Sequence, residues 1–189
     1  MDAFLTTLLS VLLAEVGDRT QILAAALALR FHRNGAVIAG LALATLINCI
    51  FSAVAGSVID SWISEAPLML FGGLAYIFAG LGMLMWRRPV DVLENWRLGA
   101  FMTSFLGIFI LQFGDKSQFL ILANAARTDL WGFVIVGGWA GIMAACIPAI
   151  ILRERLAALL PLKHIRIGGG IILLLWGLIL ALRAFGLIA

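Results

Sequence analysis

The chain opens on an apolar run, residues 3–29, broken once by the polar cluster AEVGDRTQ at Ala14–Gln21, and runs of similar length recur to the end. Six such runs are bounded by charges or turn residues: Ala3–Leu29, Gly35–Ile59, Pro67–Trp86, Leu98–Ala126, Trp131–Leu152 and Ile165–Phe185. A run of about 20 residues rising ~1.5 Å each matches a hydrocarbon core about 30 Å thick, so each predicts a crossing helix. Little sequence remains for a soluble domain. The first run has neither a basic n-region nor a small-residue cleavage site, and reads as a retained span.

Composition agrees with the pattern. Hydrophobic residues make up 63% of the 189 and charged residues 12%, against about 45–50% and 25% in soluble domains. An all-α integral membrane protein follows. The positive charges then orient it. Loops one, three and five carry Arg30, Arg33, Arg87, Arg88, Arg97, Arg153, Arg155, Lys163 and Arg166, whereas the opposite side carries only Arg127 and Arg183. Lys and Arg stay cytoplasmic in short loops, which places both termini on the non-cytoplasmic side, in a bacterial inner membrane. The same bias accounts for the net charge of +3 without a nucleic-acid partner. The basic stretch Arg153–Arg166 is expected to rest on the anionic inner leaflet.

The chain also repeats itself. AEVGDRTQ aligns with LQFGDKSQ, Leu111–Gln118, at an offset of 97 that holds without a gap and also pairs Gly40 with Gly137, Cys49 with Cys146, Gly73 with Gly170 and Gly80 with Gly177. Three spans per half is an odd number, so the halves enter the membrane in opposite senses. The fold expected is six transmembrane helices as two inverted three-helix repeats, 1–88 and 98–189, joined by a cytoplasmic linker, 89–97. Secondary transporters use this arrangement and bind their cargo near the midplane, between the repeats.

A helix starting near Ala3 puts Glu15 about 18 Å and Asp18 about 22 Å into the membrane. In both halves about a dozen apolar residues precede the motif and about eight follow, which fits a helix broken at Gly17 and Gly114. Gly72, Gly73, Gly169 and Gly170 are read as helix-packing positions. On a helix Glu15 and Asp18 share a face, as do Gln112 and Asp115. The two faces together offer three carboxylates and the Gln112 amide, with the hydroxyls of Thr20 and Ser117 and the amides of Gln21 and Gln118 nearby. Oxygen donors throughout suit Ca²⁺ or Mn²⁺ better than Mg²⁺, which sheds its waters reluctantly. Cys49 and Cys146 are read as small buried residues, with a soft contribution to a Mn²⁺ site left open. The bland alternative is a structural pairing of Asp18 and Asp115 with Lys116 and Arg19. Ionised groups at the bilayer centre cost about 2.5–3.5 kcal/mol each, however, and mark transport pathways by default.

Glu15-Val16-Gly17-Asp18-Arg19-Thr20 resembles the E-φ-G-D-[KR]-[ST] signature of the Gdt-type cation/proton exchangers, a family formerly numbered as uncharacterised protein family 0016. That family carries the motif twice, in its first and fourth spans, and both copies are present here. The resemblance implies export of Mn²⁺ or Ca²⁺ from the cytoplasm in exchange for protons, with the motif acids as ligands and proton carriers. Carried over, binding falls to Glu15, Asp18 and Asp115. The second motif departs from the signature by having Gln112 where the family usually has Glu. Three acids against Arg19 and Lys116 leave a net charge of −1, so one proton is expected per cation. The cation is cargo, no cofactor is implied, and self-association into a homo-oligomer is compatible with such a chain. Two rival functions use the same residues. A small cation channel would need a wet pore, and an intramembrane aspartyl-type enzyme would need Asp18 and Asp115 to share a proton beside two cations, which does not suit such a dyad.

Overall fold

The computed structural model describes residues 1–85, 90–152 and 160–188. Eight helices and no strand occur among them: α1 Asp2–Glu15, α2 Arg19–Phe31, α3 Asn34–Asp60, α4 Glu65–Leu84, α5 Gly99–Gln112, α6 Lys116–Ala125, α7 Trp131–Leu152 and α8 Leu162–Ala184. The expected runs 35–59, 131–152 and 165–185 each correspond to one helix, and 67–86 does so as far as Leu84. Trp86, Arg87, Arg88, the linker's Pro89, and Arg153 and Arg155 of the basic stretch lie outside the described residues.

The runs 3–29 and 98–126 differ from a single straight span. Each is two helices, α1 with α2 and α5 with α6, parted at Val16–Asp18 and Phe113–Asp115. Four helices, α3, α4, α7 and α8, are long and apolar enough to cross a membrane alone; α5 and α6, bent by 69° at their break, make a fifth span if taken together. The described residues thus give four or five spans where the apolar runs predict six. α1 and α2 have 14 and 13 residues, fewer than the ~20 a span needs, and the charges of the motif fall at their junction.

The solvent logic is inverted relative to a soluble protein. Ile47, Phe51, Val54 and Val58 of α3, Leu74 and Phe78 of α4, and Ile172, Leu175 and Trp176 of α8 are exposed. Polar side chains turn inward: Thr7, Ser10, Thr45, Asn48, Ser52, Thr103 and Ser104 are buried. Apolar surface costs nothing against lipid, whereas a polar group there has no partner. Packing between helices then falls to small residues. A Cβ at Gly40 of α3 would meet Phe101 O of α5 at 2.7 Å, and one at Gly141 of α7 would meet Leu8 O of α1 at 2.8 Å. α4 and α8 cross at Gly73 against Gly177 and at Gly80 against Gly170, where an added Cβ would come within 2.7–3.1 Å of backbone oxygen. Of the four glycines read as packing positions, Gly73 and Gly170 meet the facing backbone at these crossings, whereas Gly72 and Gly169 face the side chains of Arg127 and Met83.

The 97-residue offset reappears in three dimensions. Helix starts at Asp2 and Gly99, Arg19 and Lys116, Asn34 and Trp131, and Glu65 and Leu162 are all separated by it. So are the two crossings of α4 with α8, and the Gly40–Phe101 approach has its counterpart in Gly137 against Phe4. Trp139 Nε1 donates to Ala42 O at 3.0 Å, joining equivalent positions of α7 and α3. The chain between the halves is held to α2, where Arg30 donates to the carbonyls of Leu93 and, at 2.6 Å, Trp96.

Candidate cation site

The two breaks are built alike. Val16 (φ −61°, ψ 119°) and Gly17 (φ 73°) form the centre of a type II turn closed by Asp18 N–H donating to Glu15 O at 2.9 Å. Phe113 (φ −65°, ψ 118°), Gly114 (φ 75°) and an Asp115 N–H bond to Gln112 O at 3.0 Å repeat it. A type II turn requires positive φ at its third residue, which is why glycine stands there. In each turn the glycine N–H is then satisfied from the following helix: Gly17 donates to Gln21 Oε1 at 2.7 Å and Gly114 to Gln118 Oε1 at 2.6 Å. Gln21 and Gln118 therefore hold the turns, a role their ordering after the glycine, four residues on in both copies, could have signalled.

Glu15 and Asp18 consequently do not share the face of one helix. Glu15 ends α1 and Asp18 is the N-cap of α2, and they converge because the chain turns between them. Asp115 takes the equivalent place before α6. An N-cap aspartate ordinarily accepts from its own first turn, but neither Asp18 nor Asp115 makes that bond. Asp18 instead pairs with Lys116 of the other half, and Asp115 with Arg19 of the other half as well as with Lys116 and Ser117 of its own. One oxygen each from Glu15, Asp18 and Asp115 lie within 4.8 Å of one another.

Both motif cations border this cluster. Lys116 Nζ stands 2.7 Å from Asp18 and 3.4 Å from Asp115, while Arg19 Nη2 is 3.7 Å from Asp115. Lys116 is buried, with 6% of its side chain exposed, and Arg19 is 40% exposed. The cross-pairing anticipated as the bland alternative is thus formed, yet it leaves polar capacity over: Glu15 Oε2 is buried without a hydrogen-bond partner. Ser117 donates to Glu15 Oε1 and lies 3.5 Å from Asp115 Oδ2. Thr20 is buried in the first turn of α2. Gln112 is buried with neither side-chain atom bonded, and it lines a small cavity with Ser117, Gln118, Ile121 and Ile142. Cys49 lines that cavity too, whereas Cys146 is simply buried.

An oxygen-rich centre with both signs of charge, at two facing helix breaks, suits reversible exchange of a hard cation. Comparison with known proteins decides the family. The profile of the divalent cation/proton antiporter GDT1 family matches residues 3–89 and 100–187. The chain belongs to the GDT1 family. Its relatives include a Vibrio cholerae protein named "Putative manganese exporter", 33% identical over 181 residues, covering 93% of this chain and 88% of the relative. The "Divalent cation/proton antiporter GDT1" of Saccharomyces cerevisiae is 22% identical over 240 residues, covering 98% and 85%. No solved structure matches. This GDT1-family chain is accordingly an integral membrane transporter of the cation/proton antiporter class and not an enzyme, and the aspartyl-type alternative falls away.

Proposed function

We propose that the protein exports Mn²⁺ or Ca²⁺ from the cytoplasm in exchange for protons, through a site made by Glu15, Asp18 and Asp115 with Gln112 beside them. The observation that carries this reading is the convergence of three acids from two equivalent helix breaks, within 4.8 Å. The Vibrio cholerae relative favours manganese.

The architecture proposed is two inverted repeats, with α1–α2 and α5–α6 each crossing the membrane as one broken span and both termini outside the cytoplasm. The offset of every helix start by 97 residues supports the repeat, and the excess of Lys and Arg in the odd loops supports the orientation. Broken helices are tolerated at that depth because their freed backbone groups are satisfied by protein, here by Gln21 and Gln118.

Coupling comes from competition. Metal and protons need the same carboxylate oxygens, so a cation arriving from the cytoplasm displaces a proton and a proton arriving from outside displaces the cation. Lys116 and Arg19 set the balance: with three acids they leave −1, which one proton neutralises. Alternating access to the site then yields one proton in for each divalent ion out, an exchange that moves net charge.

Proteoliposomes with an imposed pH gradient test the whole reading. Purified protein should move ⁵⁴Mn²⁺ or ⁴⁵Ca²⁺ against the proton gradient, and Asp18→Asn and Asp115→Asn should each lower the rate at least 100-fold while the protein still inserts. Normal transport by either variant would remove the two-motif site.

A further inference from the structure

α2 leads away from the first break and α5 leads up to the second, so in the orientation proposed above the cleft between them is the cytoplasmic approach to the acids. Leu23 stands five residues past Asp18, and Gly107 five before Gln112, each about 7–8 Å from its break. At that level a side chain from outside both helices fills the cleft. Leu93 of the linker sets its Cδ1 in the space that a Cβ at Gly107 would take, and Leu23 Cδ2 lies 3.8 Å from the same point. Gly107 thus supplies a notch for Leu93, and Leu23, itself buried, its floor. The backbone is bent to hold it there. Leu93 takes φ 57°, a left-handed conformation uncommon outside glycine. Asp91 Oδ1 accepts its N–H at 2.9 Å, while its carbonyl accepts from Arg30 and, at 3.0 Å, from Trp96 N–H. Arg30 also bonds Trp96 O at 2.6 Å. Strain of this kind persists only where the surrounding contacts over-determine it.

We propose that the linker is the cytoplasmic gate of this transporter, with Leu93 as its plug and Arg30 as its latch. The inference rests on the site and the orientation proposed above and adds a moving part to them. The repeat supports it by an exception. The other approach to the acids lies between α1 and α6, where the residue equivalent to Gly107 is Ser10. There a helix closes the cleft: Tyr76 of α4 stands beside Ser10 and donates to Asn124 of α6 at 3.0 Å. The counterpart of α4 is α8, which packs on α4 and α1 and hardly touches α2. The linker therefore fills on α2 the place that α4 fills on α6. Residues 90–98 contain no helix, so the strap lifts by releasing one arginine and one leucine, without unpacking a membrane helix. Access from the cytoplasm then needs only a local step of the kind that loops commonly supply.

Thiol labelling of the full-length protein in vesicles of known sidedness tests this without relying on transport. In a Cys49→Ala, Cys146→Ala background, Leu23→Cys puts a single thiol beneath Leu93. Adding Leu93→Gly deletes the plug while glycine keeps the positive φ. A membrane-impermeant thiol reagent applied at the cytoplasmic face should then react at least tenfold faster. Arg30→Gln should have the same effect by freeing the latch, and it decides alone if Leu93→Gly fails to insert. Glu94→Ala, exposed on the same strap, should label at the parent rate. A cytoplasmic rate in Leu93→Gly within twofold of the parent overturns the gate. Acceleration from the opposite face alone would put the strap on the other side of the membrane and overturn its cytoplasmic role. Failure of the carboxylate site would show separately, as normal transport by Asp18→Asn, and would leave the labelling rates unchanged.

Discussion

The motif at Glu15–Gln21 and the motif at Gln112–Gln118 have the same backbone and different chemistry. Their turns agree to 2° in the φ of glycine and to 0.1 Å in the glutamine clamp. Around that common frame the first copy is closed and the second is open. Gly17 is buried and Gly114 exposed. Gln21 has its second bond, Nε2 donating to Ala145 O at 2.7 Å, whereas Gln118 Nε2 has no partner. Lys116 is buried between Asp18 and Asp115, whereas Arg19 reaches Asp115 from a more exposed place. Duplication therefore explains how two chain breaks come to face each other. What occupies the space between them is set by the positions at which the copies have diverged.

The cations offer the strongest way to break this comparison. Lys116→Met should destabilise the protein by about 3–5 kcal/mol, since it strips two carboxylates of a buried partner. Arg19→Met should cost only ~0–1 kcal/mol, as for a solvated pair. Thermal melts in one detergent would measure both, and equal losses would mean that Arg19 is as enclosed as Lys116. The glycines should behave identically. Gly17→Ala and Gly114→Ala each force a side chain into positive φ, at roughly 1–2 kcal/mol, and the same melts would show whether one turn tolerates it better.

The glutamine clamps predict a smaller inequality. Gln21→Leu removes two hydrogen bonds and Gln118→Leu one, so the first should be the more destabilising by about 1 kcal/mol. Hydrogen exchange at Gly17 and Gly114 would locate the loss. Last, Gln112→Glu makes the copies alike in charge and should raise the exchange ratio from one proton per cation towards two. Reversal potentials in proteoliposomes at several pH gradients would read the ratio. An unchanged value would mean that Gln112 lies too far from the ion to enter its charge balance.

Much of the site was legible because duplication wrote it twice. A lone G-D-[KR]-[ST] would have been weak, but Gly17, Asp18 and Gln21 recurring as Gly114, Asp115 and Gln118 marks positions the backbone needs. The membrane class was equally plain, since an apolar run is a direct statement about solvent. Spacing alone puts Glu15 and Asp18 on one helix face, but Gly17 takes φ 73° and turns the chain, so that the two acids meet across a turn.

The sequence by itself determined that the protein belongs in lipid, that its halves correspond, and that glycine would mark the breaks. Each of these is a property of composition or local spacing. Only the tertiary structure decided that Lys116 and not Arg19 is the enclosed cation, that Gln21 and Gln118 serve the turns, and that Asn48 stands with Gln112 around a small void. These depend on which side chains from α3, α5 and α6 come to share a space. Asn48 and Gln112 are 64 residues apart in the chain, and no local pattern connects them; the packing of small residues such as Gly40 against Phe101 brings α3 close enough to α5 for them to line one cavity.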